Sequence, residues 1–436
     1  MPRIFAGSEE VTSFSLLGIV IWSIAALFFL YEFFLRSFVG TIGQQITADL
    51  HLSAEGFALL SAAYFLAYGI MQLPVGIICE KFGVKRVMLF AIIICVIATL
   101  LFGQATLFWS SFLSRFLMGF GSAFAFVALL VITIQWLPGK YFGFYIGLAQ
   151  FIGTLGPLLG AGPFMSMLNS LHESWRLATS QIAIAGAFLG LLTLLFVHDR
   201  RRKKRVRIIV RESSSGTLAL LRSLFSSKQA LSGAFYAAFV YSSIVLFGNV
   251  WGTEFLQSKG LSQTASAYCV SALWIGYAIG CPILGLLSDL YRRRRPFMIL
   301  PAVLGFFATI LILVSGINSL FAISILFIAL GFAAAGQSVS LAFVAEVVPE
   351  KVRASSLAFN NGLITVFATL LPPFTGMIID LFSTTNDTSA PSFHSFFLAF
   401  LIMPILLLLA VFLSQFGLKE TFCRPQKEIR ILNLYK

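Results

Sequence analysis

Long apolar stretches separated by short polar segments recur along almost the whole chain. Twelve of these stretches are about as long as the roughly 20 residues that a helix needs to cross the hydrocarbon core of a bilayer. The pattern therefore predicts an all-α, polytopic membrane protein with twelve transmembrane helices. The predicted spans are 16–43, 56–79, 86–105, 108–136, 142–168, 177–197, 231–256, 265–288, 297–315, 319–347, 355–382 and 394–417.

The composition agrees with this prediction and excludes a soluble protein of the same size. Hydrophobic residues make up 58% of the 436 residues and charged residues only 11%, whereas a surface facing water would need far more charge. The net charge of +13 does not indicate a nucleic-acid partner, because the basic residues are divided among alternate loops. For the basic run at 200–211 we favour contact with anionic lipid headgroups, with a nucleic acid or a regulator as the alternative.

Basic residues are concentrated in the loops that follow every second span. By the positive-inside rule, this asymmetry places those loops, the long central loop and both termini in the cytoplasm. An even number of spans requires the termini to share a side, so the two arguments agree. We therefore expect a multi-pass protein of the bacterial cytoplasmic (inner) membrane. The basic residues are Lys81, Lys85 and Arg86; Lys140; eight residues within 200–211; Arg292–Arg295; Lys351 and Arg353; and Lys419, Arg424, Lys427 and Arg430.

The two halves of the chain repeat a pattern. Gly76 and Glu80 close the second span, and Gly285 and Asp289 close the eighth with the same spacing, followed in both places by cations. This indicates a duplicated six-helix unit, and duplicated bundles commonly place a substrate path at the interface of the repeats. The predicted organisation is an N-terminal six-helix bundle at 1–197, a basic cytoplasmic linker at 198–229, and a C-terminal six-helix bundle with a short cytoplasmic tail at 230–436.

The loop after the second span resembles a known signature. Residues 76–86 are similar to the signature loop of the major facilitator superfamily of secondary transporters, except that Glu80 replaces the usual aspartate. A weaker copy occupies 285–295, residues 115–121 resemble the arginine-glycine motif of that family's fourth span, and residues 153–160 partly resemble its antiporter motif. The resemblance implies two six-helix bundles that alternate access to a central site, usually in a monomer. We expect no cofactor, no metal and no enzymatic activity.

The signature loop also has a physical interpretation. A carboxylate at the cytoplasmic end of the second span can face the N-terminus of the eleventh helix, where the helix dipole favours negative charge. Such a contact would exist only while the cytoplasmic side is closed, and it would bias the conformational equilibrium. The alternative is a charged loop ordered by topology alone. The resemblance further implies a tight turn at one glycine and two cations that pin the loop. The residues assigned to conformational gating are Gly76, Glu80, Gly83, Lys85, Arg86 and Asp289.

Ionisable residues inside the spans are costly in a bilayer and indicate function. Glu32 and Arg36 are four residues apart on the first span, so they share a helical face. Arg115 lies at a similar depth on the fourth span. One acid and two guanidinium groups would make a net positive site for a carboxylate or phosphate, and Glu32 is the first choice to carry a coupling proton. The alternatives are a structural Glu32–Arg36 pair and an Arg115 that braces helix packing.

Further polar residues mark candidate cavity faces, although each of them could serve packing alone. Gln72 continues a stripe formed by Tyr64 and Tyr68 at spacing four on the second span. Of the weaker acids, Glu254 is predicted to line an outer entrance, while Glu346 is expected to pair with Arg353 or a loop cation and Asp380 to be a solvated cap. The remaining candidates for contact with the solute or proton are Tyr31, Tyr68, Gln72, Gln150, Asn249, Tyr277 and Asn361.

The predicted function is secondary active transport of a small anionic or zwitterionic organic solute, namely a carboxylate, an amino acid or a dipeptide. We expect alternating access and proton-coupled symport. Within the family, residues 31–36 and 136–138 are similar to bacterial carriers of organic anions and to bacterial relatives of lysosomal dipeptide transporters. The alternatives are a proton-driven exporter of amphipathic compounds, and a uniporter or exchanger of the same solutes. A channel, a membrane enzyme and a substrate sensor are disfavoured by the absence of their sequence features.

Overall fold

The computed structural model describes residues 15–72, 74–138, 141–171, 174–199, 227–316, 319–349, 353–383 and 391–423. Within these ranges the regular structure is helical, and twelve helices are long and apolar enough to cross a membrane. This confirms the predicted fold class and number of spans. The helices are α1 (Leu16–Thr41), α2 (Ala54–Met71), α3 (Val84–Gln104), α4 (Phe108–Trp136), α5 (Phe144–Leu171), α6 (Trp175–Phe196), α7 (Lys228–Ser258), α8 (Gln263–Leu290), α9 (Pro296–Val314), α10 (Leu320–Val347), α11 (Ser356–Phe382) and α12 (Phe393–Gly417).

Several helices extend beyond these bounds or are interrupted inside them. A short helix, Gly43–Leu50, follows α1, and Pro74–Phe82 continues α2 toward the signature loop. The helix of α11 begins at Arg353. Within α7, residues Ile244–Trp251 form a π-helical segment, a local widening that is frequent at functional sites.

Serine side chains fix the starts of many of these helices. An N-terminal turn has backbone N–H groups without helical partners, and a serine hydroxyl just before the turn accepts from one of them. This pattern sets the entry of the chain into each helix independently of the apolar residues that follow. The serine caps and the residues whose N–H they accept are Ser53 with Gly56, Ser174 with Leu177, Ser227 with Ala230, Ser262 with Ala265, and Ser392 with Ser395.

Equivalent glycines pack the two six-helix halves in the same way. A Cβ on Gly119 of α4 would overlap the backbone of Tyr64 of α2, and a Cβ on Gly331 of α10 would overlap the backbone of Leu273 of α8. Small residues allow transmembrane helices to approach this closely. The first bundle (α1–α6) and the second bundle (α7–α12) therefore share an internal packing scheme, as expected of a duplicated unit.

The two bundles touch on one side of the molecule. We call the face where α1 begins and α12 ends the inner face, which the charge rule predicts to be cytoplasmic, and the opposite one the outer face. On the outer side, Asp380 of α11 accepts from the backbone N–H groups of Ala54 (2.8 Å) and Glu55 (2.7 Å) at the start of α2. Ser166 of α5 donates to Tyr268 of α8 at 3.0 Å. Hydrogen bonds between the bundles thus hold the outer face closed.

The same four helices separate toward the inner face. Gly76 lies in the short helix Pro74–Phe82, just beyond Gln72, whose amide contacts the second bundle. Yet no described atom lies within 4 Å of a Cβ placed there, and the same holds for glycines on the inner halves of α5, α8 and α11. The described conformation is therefore open toward the inner face. The four glycines are Gly76, Gly147, Gly285 and Gly362.

Candidate functional site

Glu32 lies buried in the first bundle, in contact with two neighbouring polar side chains. It is 0% exposed, and its Oε1 accepts from Nη2 of Arg36 and, at 3.2 Å, from the hydroxyl of Tyr64. The Tyr64 hydroxyl also lies 3.1 Å from the backbone oxygen of Glu32. Oε2 of Glu32 has no hydrogen-bond partner among the described residues. The carboxylate is thus held at one oxygen and has unused capacity at the other.

Arg36 lies next to this carboxylate, and aromatic rings surround its guanidinium. The Arg36 Cζ is 4.3 Å from the ring centroid of Phe33 and 4.8 Å from that of Tyr68, positions at which a cation is attracted to the ring face. Tyr241 of the second bundle lies within electrostatic reach of it. Its Nε has no partner in the described part of the chain. Arg36 therefore retains donor capacity at the boundary between the bundles.

Arg115 meets the first helix as predicted, but through the backbone of that helix. Its Nη1 donates to the carbonyl oxygen of Leu35 at 2.7 Å and its Nη2 to that of Arg36 at 3.4 Å. The guanidinium stacks over Tyr64 at 4.8 Å, and the residue is 1% exposed. In this conformation Arg115 braces α1 at the level of Arg36, and its buried Nε has no hydrogen-bond partner among the described residues.

Tyr31 is placed apart from the other candidates of α1. Its hydroxyl donates to the carbonyl oxygen of Ile182 on α6 at 3.2 Å, inside the first bundle. Successive helical residues point about 100° apart, so Tyr31 cannot share the direction of Glu32. The structure thus corrects the prediction that Tyr31 faces the central space.

Polar groups of both bundles meet below Arg36. Nδ2 of Asn361 on α11 donates to Oε1 of Gln72 at 3.4 Å, which links the two bundles. On the second bundle, the Tyr277 hydroxyl donates to Oε1 of Gln337 at 3.0 Å, and the ring of Tyr241 packs edge-on against Tyr277 at 5.9 Å. Hydroxyl and amide groups therefore line the central space opposite the Glu32–Arg36 pair.

Gln337 and Asn360 are candidates that did not enter the predicted site. Gln337 follows a glycine inside the very apolar α10, and this isolated amide within a span was the available signal. Asn360 is 0% exposed, and neither atom of its amide has a hydrogen-bond partner among the described residues. A buried amide without a partner is costly, so it marks a position where a ligand or water can bind.

Two predicted residues lie away from this centre. Asn249 is 2% exposed on the π-helical segment of α7, and its backbone oxygen lies against Gly40 of α1 on the closed outer side. Gln150 is exposed on the inner half of α5. It lies between Gly147, which borders the open gap, and Gly153, which packs against α1.

The signature loop is anchored inside the first bundle. Gly83 has a φ of 85°, which glycine adopts readily and other residues do not. The backbone N–H of Lys85 donates to Oδ1 of Asp199 at 3.0 Å, and its Nζ donates to the carbonyl oxygen of Leu194 at 2.7 Å. Arg86 is exposed, and the side chain of Glu80 lies outside the described residues, as does the basic run at 200–211.

The repeated loop of the second bundle forms an ion-pair cluster. Arg294 pairs with Asp289 at 2.6 Å and with Glu346 at 2.7 Å, so Glu346 contacts a loop cation, as expected. Burial alone would lower the pKa of Arg294, but the hydrogen bond and charge of Glu346 raise it above its ordinary value. In this conformation Asp289 therefore contacts its own bundle, and its predicted contact with the start of α5 stays a prediction for the state closed at the inner face.

Asp380 differs from its prediction. It is not a solvated cap of α11, because both carboxylate oxygens bind the first N–H groups of α2 in the other bundle. The helix N-terminus attracts negative charge, so this contact is favourable as well as specific.

No group of three or more His, Cys, Asp or Glu side chains that could hold a metal ion occurs within the described ranges.

Comparison with known proteins gives matches over both bundles. A family model described as Major Facilitator Superfamily matches residues 22–273 and 246–421. The hexuronate transporter of Bacillus subtilis (strain 168) is 26% identical over 364 residues, covering 79% of this chain and 84% of that protein. The probable galactarate/D-glucarate transporter GarP of Escherichia coli (strain K12) is 25% identical over 387 residues, with 79% and 83% covered. The structure of a bacterial homologue of the human lysosomal transporter Spinster has a TM-score of 0.75 at 17% identity, with 93% and 98% covered.

Proposed function

The chain belongs to the major facilitator superfamily of secondary transporters, and from that premise we propose that it moves a hydroxylated organic acid together with a proton. The proposed solutes are sugar acids with one or two carboxylates. The two bundles, at 1–197 and 230–436, would rock as units around the central site, joined by the linker at 198–229. The working unit is proposed to be a monomer in the bacterial cytoplasmic membrane. Both termini would lie in the cytoplasm, since the basic loops lie on the inner face.

The Glu32–Arg36 pair between the bundles carries this proposal. A guanidinium binds a carboxylate through two parallel hydrogen bonds, but Arg36 already donates to Glu32. A proton on Glu32 would cancel the carboxylate charge and release Arg36 to bind the carboxylate of the solute. An unpaired buried charge is strongly unfavourable, so the proton and the solute would enter together. This exchange of partners is the coupling step that we propose.

The polar lining of the central space, which both bundles supply, fits a hydroxylated solute. Tyr68, Gln72, Tyr277, Gln337 and Asn361 supply hydroxyl and amide groups that both donate and accept hydrogen bonds. Sugar acids present several hydroxyls beside a carboxylate. Relatives named as hexuronate and galactarate/D-glucarate transporters support this choice over amino acids and dipeptides. In the proposed scheme Glu32 is protonated when the solute is bound, so its carboxylate would not be available to an ammonium group.

Arg115 has a positioning role in this scheme. Its two hydrogen bonds to the backbone of α1 fix the turn that carries Arg36, and its positive charge favours an anion nearby. The gating residues of the two inner loops would act only when the inner face closes, with Glu80 at the start of α11 and Asp289 at the start of α5.

The test is uptake by the purified full-length protein in liposomes, with and without an inward proton gradient. The panel contains a hexuronate, galactarate, glucarate, a dipeptide and glucose, the last being a hexuronate analogue without the carboxylate. We expect accumulation of at least one sugar acid that depends on the gradient and no transport of glucose. Transport of glucose or the dipeptide in preference to every acid would overturn the proposal.

The variant Glu32→Gln separates coupling from binding. It should retain exchange of the acid across the membrane but lose accumulation driven by the proton gradient. Glu55→Gln is the matched control, because Glu55 is an exposed carboxylate on the outer face and its loss should leave accumulation unchanged. Accumulation by Glu32→Gln at the wild-type level would show that Glu32 does not carry the proton.

A further inference from the structure

A second polar region lies on the outer face, away from the central site. A cavity of about 750 Å³ is bordered by both bundles there, and its charged lining residues are Glu254 of α7 and Asp380 of α11. None of its described lining residues is a lysine, arginine or histidine. The described lining of the cavity therefore has two acidic side chains and no cationic side chain to balance them.

Glu254 lies at the contact between the bundles within this cavity. It is in the helix Gly252–Ser258 at the end of α7, and a Cβ on Gly43 of the first bundle would overlap its Oε1. That oxygen is buried and has no hydrogen-bond partner among the described residues. Gly40 contacts the backbone of Asn249 and Val250 beside it, so the approach of α1 to α7 covers Oε1 of Glu254, while the side chain as a whole stays partly exposed toward the cavity.

The described charged groups on the surrounding helices do not compensate Glu254. Each of them is either engaged with another group or exposed at the surface. Asp380 is bound to Ala54 and Glu55, Asp49 to Trp175 and Arg176, Lys259 to the carbonyls of Ile312 and Ser315, and Glu32 to Arg36, while His51, Glu55 and His394 are exposed.

We propose that Glu254 is a second proton-binding site, which takes up a proton when the outer face closes. Covering one oxygen of an ionised carboxylate without a counter-ion or a hydrogen-bond donor is unfavourable, and a proton removes that cost. When α1 and α7 separate, water reaches the carboxyl group and it can ionise. Low pH therefore favours the form closed at the outer face. The inference rests on the proposed function only in its alternating access, and it requires no particular solute.

Proton linkage gives the size of the pH effect on the conformational equilibrium. If closure takes up one proton at Glu254, the ratio of outer-closed to outer-open molecules falls by up to about tenfold for each unit rise in pH while this group titrates.

The test measures the distance between the bundles on the outer face without any solute. Spin labels at Leu107→Cys and Phe321→Cys report it, since both positions are exposed beside the outer ends of α4 and α10. The five native cysteines are replaced by alanine, and the full-length protein is placed in lipid nanodiscs. We expect the outer-closed population to grow from pH 8 to pH 5 in this background and to stay high at every pH in Glu254→Gln.

Two further variants keep the proposal falsifiable. Glu254→Asp restores a titratable group and should restore the pH dependence, whereas Glu55→Gln removes a nearby exposed carboxylate and should leave the dependence intact. The proposal is overturned if Glu254→Gln shows the same pH response as the labelled protein with Glu254 intact. It is also overturned if the distance in that labelled protein does not change with pH. Because no solute is present, failure of sugar-acid transport would leave this measurement standing, and the reverse also holds.

Discussion

Glu32 on α1 and Glu254 on α7 belong to two helices that meet between the bundles, yet the surroundings of the two glutamates are opposite. Glu32 contacts a cation and a hydroxyl, those of Arg36 and Tyr64, while the buried oxygen of Glu254 has no partner among the described residues. The paired carboxylate of Glu32 can release Arg36 to the carboxylate of a solute. The unpaired carboxylate of Glu254 has no partner to release, so burial only changes whether it is ionised. The comparison shows how one side chain can couple a proton to binding at one place and to movement at another.

The largest effect should come from breaking the pair at Glu32. Arg36→Ala leaves a buried carboxylate without its cation, a change that costs about 3–5 kcal/mol in comparable sites, and it removes the proposed carboxylate ligand. We expect sugar-acid uptake to fall at least about 100-fold, measured as the initial rate in liposomes at equal protein content.

A double variant separates folding from transport in that experiment. Arg36→Ala combined with Glu32→Ala removes both charges and should recover much of the thermal stability lost in the single variant, without recovering uptake. Uptake by Arg36→Ala at the wild-type rate would contradict the role given to this residue.

A smaller effect is expected at Asp380, which sharpens the contrast with Glu254. Asp380→Ala removes two charge-assisted hydrogen bonds, each worth about 1.5–3 kcal/mol when buried. We expect a combined loss of about 1.5 kcal/mol, the lower end of the range for one such bond, because the contact at Glu55 is exposed. The outer-closed to outer-open ratio should fall about tenfold or more by the spin-label distance. Its slope against pH should not change, and a loss of that slope would transfer the proton-binding role from Glu254 to Asp380.

The smallest effect should follow loss of one hydroxyl at Glu32. Tyr64→Phe removes a single hydrogen bond to the carboxylate, worth about 0.5–1.5 kcal/mol, so we expect uptake to fall roughly threefold to tenfold. Tyr31→Phe is the matched control, because that hydroxyl bonds to Ile182 inside the first bundle and its loss should leave uptake unchanged. Equal losses in both variants would mean that Tyr64 acts through packing alone.

The sequence predicted most of the fold because membrane spans depend on local composition. Twelve apolar stretches give twelve helices, since the bilayer requires every spanning backbone to satisfy its own hydrogen bonds. The Glu32–Arg36 contact was also predictable, because spacing along one helix determines which side chains meet.

Contacts between helices were harder to predict. The predicted depth of Arg115 was correct. However, Arg115 binds the backbone carbonyls of α1 and not Glu32, and this depends on the rotation of the helices, which the hydrophobic pattern does not determine. Tyr31 was misplaced for the same reason. The partners of Asp380 come from the start of α2, more than 300 residues away, and no local pattern marks a backbone N–H as a ligand.

The outer contact of Asp380 has a consequence for how this protein can vary. Asp380 accepts from the backbone N–H groups at positions 54 and 55, and every amino acid except proline has such a donor. Position 55, whose side chain is exposed, can therefore accept almost any other side chain without loss of the contact, while the acid on α11 cannot be replaced. A survey of natural variants should find that Asp380 is constrained although its partner is the main chain. It should also find that proline is not tolerated at positions 54 and 55.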